Sequence, residues 1–386
     1  MKLHRLLLLF LLTACGGPPK ESDFPKGTFG YDLAFLRRYD SVVVLSNGEA
    51  QVIVSPKYQA KVFTSTATGP GGPSYGWIHY PAFDGPLNPH MNAYGGEDRL
   101  WLGPEGGPYS LFFQPGDSMV FDHWKTPAAF DSEPWTVQSR TSTSISLHKD
   151  MRLPDYKGAT LALSVDRSIR LLDRAALDSL LGIHLGPGVK VVAYETINVL
   201  RGSTEEAPVC LWALDMFPTS SSTVIIIPFH PGEGSPATTN YFGEIPSTRL
   251  HYEDSVLLFK ADGLSRGKLG IHPLRACPLA GSYDPSQKVL TIIQYDLSPQ
   301  GRYLNQEWTT RKPPFSGDAV NAYNDGPLAD GSQMGPFYEL ESVSPAAGEN
   351  VTHHHRVVHF TGDDAALDSL SIHLLGVSLE QVRKAF

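Results

Sequence analysis

The chain has 386 residues, 41% of them hydrophobic, 10% aromatic and only 18% charged, with 36 Gly, 31 Pro and a formal net charge of -9. The apolar content is enough to bury a sizeable core, which excludes a disordered chain, and the Gly and Pro excess argues for many turns and few long helices. The acidic balance excludes the basic footprint of a nucleic-acid binder and disfavours an anionic membrane surface, leaving neutral partners such as sugars.

Lys2 and Arg5 precede an apolar run from Leu6 to Leu12. Such a run rises about 10 Å as a helix against a hydrocarbon core of about 30 Å, so it reads as a signal peptide and not as a membrane span. Leu12-Thr13-Ala14-Cys15 resembles the bacterial lipobox. That resemblance implies a lipidated Cys15 and, since no Asp follows it, an outer-membrane location in the cell envelope. The expected division is a signal segment over 1–15, a flexible tether over 16–28 and a single β domain over 29–386. Cys210 and Cys277 read as separate thiols, and the absence of C-x-x-C excludes zinc ribbons and thioredoxin-like chemistry.

Asn47-Gly48 between two β-branched runs predicts a hairpin, because both turn residues must take positive φ. A third strand follows over 59–65, and then a long Gly-, Pro-, Tyr- and Trp-rich loop over 66–95, the kind that usually has a function. Further strands are predicted over 135–140, 143–149, 159–171, 189–200, 209–217, 223–229, 255–260, 288–297, 337–344 and 351–360. Helical periodicity is confined to Asp173 to Gly182 and to the C-terminus, where Asp363 caps one helix and Ser378-x-x-Gln381 opens another. Turns at short intervals and no long repeat give an all-β antiparallel sandwich.

Four clusters carry candidate chemistry. Around Gly95-Gly96 stand Asp98, Arg99, Trp101 and Glu105, a set suited to sugars: hydroxyls take bonds from Asp, Glu and Arg, and an apolar sugar face stacks on Trp. The rival is a surface loop closed by an Arg–Glu pair; phosphate-loop motifs are absent. In 337–344, Glu339 and Glu341 share one strand face and Tyr338, Leu340 and Ser342 the other. A solvated face is the simpler reading of the two acids, and a polar concavity holding a general base the sharper one. In Val351 to Phe360, His353, His355 and His359 point one way; His353 and His355 are weak candidates for a metal, with no metal expected overall. The turn over 345–350 is read as a hairpin that makes Glu341 and a His cross-strand neighbours. Asn324 and Asp325 in Asn-Asp-Gly-Pro read as turn chemistry first and as a rim of the same cavity second. Trp77, His79, Tyr80, His90, Asp215 and His272 each read as structural taken singly.

Asn47-Gly48, Val52 to Pro56, Ala60 to Phe63, Ile197-Asn198, Leu340-Glu341-Ser342 and Pro345-x-x-Gly348-Glu349 resemble, in order, the galactose mutarotase-like (aldose 1-epimerase) superfamily. Gly95 to Trp101, Asn324 to Pro327 and Tyr338 to Ser342 resemble a bacterial lipoprotein family within it. The resemblance implies a β-supersandwich, a sugar or glycan ligand and no cofactor. It also implies Glu341 as the base that takes the anomeric hydroxyl proton, with Glu339 in support and Arg99, Asp98, Trp101, Glu105, Asn324 and Asp325 orienting the sugar. The superfamily's acid histidine does not carry over: Leu211 to Phe217 stands in its place and contains no His. His355, His353 or Asp215 would have to substitute. The alternatives are a non-catalytic glycan-binding lipoprotein and a lyase or hydrolase on the same fold, for which Tyr323 and Arg99 would be the parts.

Overall fold

In the computed structural model, which describes residues 20–346 and 348–386, Gly48 takes φ +65° and closes the first hairpin as Asn-Gly chemistry demands. The signal segment, Cys15 and residues 16–19 lie outside the described residues. Glu21–Asp23 form a 3-10 turn, Thr28 bridges to Pro73, and helix α1 (Phe29–Leu36) follows, a helix the apolar pattern did not reveal. Seven of its eight residues are buried, so it lacks the polar stripe that marks a helix in sequence.

The strands in chain order begin with β1 (Val43–Asn47), β2 (Ala50–Ser55), β3 (Lys61–Thr66), β4 (Arg99–Gly103), β5 (Thr136–Arg140), β6 (Ser144–Pro154) and β7 (Thr160–Leu171). Helix α2 (Arg174–Leu181) separates these from β8 (Lys190–Arg201), β9 (Cys210–Pro218), β10 (Val224–Pro228), β11 (Ala237–Thr238), β12 (Leu250–Glu253) and β13 (Val256–Lys260). There follow β14 (Gly267–Ile271), β15 (Leu279–Asp284), β16 (Val289–Tyr295), β17 (Val320–Asn324), β18 (Phe337–Val343) and β19 (Asn350–Thr361), then α3 (Asp364–Leu375) and α4 (Leu379–Lys384). The architecture is therefore mostly antiparallel β with few short helices.

Three sheets result: β1-β2-β3, a ten-stranded sheet in the order β12-β13-β10-β15-β16-β19-β8-β7-β6-β5, and a six-stranded sheet in the order β11-β14-β17-β18-β9-β4. The six-stranded sheet packs one face on the ten-stranded one. Tyr338 Oη of β18 meets Ser282 Oγ of β15 at 2.6 Å, and Phe217 of β9 meets the His359 ring of β19 edge-on. The far face of the ten-stranded sheet is covered by α2, α3 and α4, whose Leu177, Leu367, Leu375 and Val382 pack with Val358 and Phe360. The predicted caps hold these helices: Asp173 accepts from Ala176 N, Asp363 from Ala366 N, and Ser378 forms its capping box with Gln381.

One topological expectation fails. The turn over 345–350 is no hairpin, because β18 belongs to the six-stranded sheet and β19 to the ten-stranded sheet. It carries the chain across the sandwich. Glu341 faces Asn321 of β17 and Leu214 of β9 in register, with no histidine strand beside it. Strands β4, β11, β12, β14, β15 and β17 were also unforeseen. Several are short and mix polar residues with glycine, and β14 and β17 pair with each other from Gly267↔Asn324 to Ile271↔Val320.

Candidate functional site

Alternation along β18 sorts its side chains as expected, and the six-stranded sheet gives each face a separate chemistry. On the face turned away from the ten-stranded sheet, Arg99 Nη2 donates to Glu339 Oε1 at 2.7 Å. Beside this pair, Lys268 Nζ donates to Glu341 Oε2 at 2.8 Å, and Trp212 Nε1 donates to the same oxygen at 3.0 Å. All four charged residues are buried, so the solvated reading of Glu339 and Glu341 is overturned. Neighbouring strands and loops cover the face with aromatic rings that sequence order scatters.

Four tryptophans make the wall. Trp101 lies edge-on to Trp212 and 6.3 Å from Trp124, and Trp124 stacks on Trp308 at 5.8 Å. The Arg99 guanidinium lies 5.0 Å from the Trp101 ring and the Lys268 ammonium 4.7 Å from the Trp212 ring, both within cation–π range. Glu105 is half-buried beside the indoles of Trp308 and Trp124, close enough to Lys268 and Glu341 to feel both charges. Burial pushes the Glu105 carboxyl up to about 7 and that of Glu339 up to about 8, against the pull of Lys268 and Arg99 respectively. Four buried polar atoms of this wall have no partner: Glu341 Oε1, Arg99 Nε, Asn321 Oδ1 and Trp124 Nε1. Beyond Glu339 the wall continues into Trp77, Phe337 and Tyr323, and out to exposed Phe242 under the Arg266 guanidinium.

The glycines of the first cluster serve this arrangement. Gly95 and Gly96 have φ +82° and +128°, and a Cβ on Gly95 would stand 2.3 Å from Trp77 O. Their backbone pins the long loop to β9 through Trp77 N to Met216 O and Met216 N to Gly96 O. The cover of the site is thus tied to the sheet that carries it.

The other face lies inside the sandwich and takes Asp98, assigned by the sequence to the sugar, together with the histidines and Asp215 considered for acid catalysis. His355 does not reach Glu341. Its Nδ1 lies 2.8 Å from Ser342 Oγ and its Nε2 2.8 Å from Asp215 Oδ2, all with no solvent exposure. His353 meets the same Ser342 hydroxyl through Nε2, and burial pushes it down to about 3, so the ring is neutral. Asp98 also turns inward, its Oδ1 accepting from Arg167 Nη2 at 2.8 Å, so it is not beside Trp101 on the tryptophan wall. His359 Nε2 pairs with Glu97 Oε1 at 3.1 Å. The expectation that His353, His355 and His359 share a face holds in the geometry.

Asn324 and Asp325 fasten loops. Asn324 accepts from Gly263 N and donates to Ser265 O, while Asp325 accepts from Tyr323 Oη and Gly335 N. Of the proposed residues, the structure gathers Arg99, Trp101, Glu105, Glu339 and Glu341. It sends Asp98, His353 and His355 to the interior and Asn324 and Asp325 to the loop supports. Lys268, Trp212, Trp124 and Trp308 were missed; the one available signal was a lone Lys in Gly267-Lys268-Leu269-Gly270, a strand-like run otherwise without charge. Two surface cavities of about 430 and 490 Å³ border Asp150 to Arg152, and neither is lined by Glu339 or Glu341. Cys210 is buried and Cys277 half-buried, and both are free thiols.

Residues 27–386 match the family of unknown function DUF6786, and the chain belongs to that family. No curated protein matches it. Among solved structures, the Slr1438 protein of Synechocystis sp. PCC 6803 is 11% identical, with 84% of this chain and 96% of its own covered at a TM-score of 0.51, a likeness of fold. Also similar are a galactose mutarotase-like protein from Lactobacillus casei ATCC 334, at 11% identity, 83% and 99% coverage and a TM-score of 0.46, and the GalM/aldose epimerase homologue from C. elegans, at 10%, 83%, 99% and 0.42.

Proposed function

We propose that this DUF6786 member binds a sugar on the tryptophan-lined face of its six-stranded sheet and accelerates its anomerisation, with Glu341 as the base. The observation that carries the reading is the pairing of two adjacent buried acids with two cations inside a wall of four tryptophans. Sugars need this combination, since their hydroxyls take charge-assisted bonds while their C–H faces stack on indole. The four unpartnered atoms supply both acceptors and donors for hydroxyls.

Anomerisation needs only proton movement. Glu341 takes the proton of the anomeric hydroxyl as the bond from the anomeric carbon to the ring oxygen breaks, and an acid protonates that oxygen; the reverse closes the ring on either face. Lys268 and the Trp212 indole hold Glu341 in place by its Oε2, leaving Oε1 free for the substrate. Glu105 fits the acid role that the absent histidine leaves open, because its carboxyl sits across from Glu341 in charge contact and burial keeps it partly protonated near neutrality. Glu339, clamped by Arg99, positions the sugar.

Wild type and Glu341→Gln are compared by NMR exchange of anomers across hexoses, pentoses and uronic acids, with calorimetric titration of the same sugars. The expected result is acceleration by wild type that Glu341→Gln abolishes while binding persists. Binding without acceleration by wild type would leave the second reading, a glycan-binding protein, which the missing acid histidine favours. Neither acceleration nor binding by wild type would remove the sugar assignment. The Leu12 to Cys15 segment supports a further part of the proposal: the site is carried on a lipid anchor at Cys15 in the outer membrane.

A further inference from the structure

Inside the sandwich, behind the sugar wall, three carboxylates stand against one guanidinium. Glu97 and Asp98 precede β4, Asp215 lies on β9, and Arg167 of β7 donates to Asp98 Oδ1 and to Asn198 Oδ1. All have essentially no solvent exposure. One ligand atom each from Asp98, Asp215 and His355 lies within 4.8 Å of the others. The second oxygens of three acids, Glu97 Oε2, Asp98 Oδ2 and Asp215 Oδ1, have no partner, and neither does Tyr194 Oη, which neighbours all three acids. Buried oxygens are paired almost everywhere in folded proteins, so four orphans in one place ask for a common partner.

We propose that Asp98, Asp215 and His355 bind a divalent transition-metal ion, Zn²⁺ or Mn²⁺, in the core of the sandwich, with Glu97 and Tyr194 completing its shell. The donor set of carboxylates and one imidazole suits these ions. Asp215 Oδ2 and His355 Nε2 stand 2.8 Å apart in a hydrogen bond, close enough for one ion to take the place of the shared proton with a small outward shift of both groups. The outer contacts are those of a metal site: Ser342 Oγ fixes the other nitrogen of His355, and Arg167, itself donating to Asn198 Oδ1, fixes one oxygen of Asp98. One dication also balances the two negative charges that Arg167 leaves over. The ion would join the segment before β4, β9 of the six-stranded sheet and β19 of the ten-stranded sheet, so binding is coupled to folding.

The test is metal content and thermal stability of the full chain. Protein is expressed with added Zn²⁺ and Mn²⁺, passed through gel filtration and assayed by plasma mass spectrometry; a second sample is unfolded with chelator and refolded with ZnCl₂, MnCl₂ or chelator alone. The proposal expects close to one ion per chain in the first sample and a melting temperature at least about 5 °C higher with the cognate metal than with chelator in the second. Tyr194→Phe, which removes only the orphan hydroxyl, should fold and bind its metal at least tenfold more weakly. Folded wild type with less than a tenth of an equivalent of metal and identical melting with and without it would overturn the proposal. This outcome is independent of sugar binding, so the two readings fail separately.

Discussion

Replacing Lys268 by Met is the most direct probe of the tryptophan wall. At 2.8 Å, with side-chain exposures of 8% for Lys268 and 0% for Glu341, the pair interacts by about 6 kcal/mol at an effective dielectric of about 20. Desolvation consumes much of that, but removing one partner leaves the other charge buried, which costs about 3–5 kcal/mol. Trp212 Nε1 would remain as the one donor to Glu341 Oε2. Lys268→Met should therefore destabilise by about that amount, Glu341→Gln by less because the amide still accepts from Trp212, and the double variant by far less than the sum. The assay is the urea midpoint followed by intrinsic tryptophan fluorescence, completed as a double-mutant cycle. A coupling energy of about 2 kcal/mol or more is expected. A Lys268→Met loss below about 1 kcal/mol together with additivity would refute the reasoning, for the pair would then behave as solvated.

Lys61 gives a pH test of the same neighbourhood. Burial, with Arg99 adding to it, pulls its ammonium down to about 7 from 10.5, and its Nζ donates to Gly95 O. Between those values the unfolded chain holds a proton that the folded chain lacks, so this residue makes stability rise with pH from about 7 towards 10.5 and depresses it fully below 7. Lys61→Met should gain on wild type most at pH 6, with the gain shrinking by at least about 1.4 kcal/mol by pH 10 in thermal melts; a pH-independent difference would dismiss the argument. For Cys15, mass spectrometry of the mature N-terminus should find a lipidated cysteine in the membrane fraction, lost in Cys15→Ser; an unmodified soluble N-terminus in wild type would end the anchor reading.

What could be read from the sequence was whatever depends on local rules. Asn47-Gly48, Asp173, Asp363 and Ser378 each act within a few residues, and each sits where expected. Alternation also told that Glu339 and Glu341 share a face. What failed was anything set by which strands become neighbours. The Pro345 turn looked like a hairpin because its flanks are strands, yet sheet membership is decided by pairing with β9 and β8, more than a hundred residues away in sequence. That single fact moved His355 from one side of a sheet to the other. Lys268 was invisible for the same reason: its partner is 73 residues downstream, brought close by the β14-β17-β18 order.

Arg99 follows Asp98, and Glu341 precedes Ser342; in both cases one residue looks out at the tryptophans and its neighbour looks in at the buried histidines. Peptide bonds make these two surfaces mechanically one. A change of residue inside would shift the working groups outside, and a misplacement of about 1 Å can cost a reaction about a hundredfold. Over evolutionary time the sheet is then a poor place to retune the choice of ligand. The freedom lies in the long loops that carry Trp77, Trp124 and Trp308, and members of the family with different ligands should differ there while keeping both sides of β4 and β18.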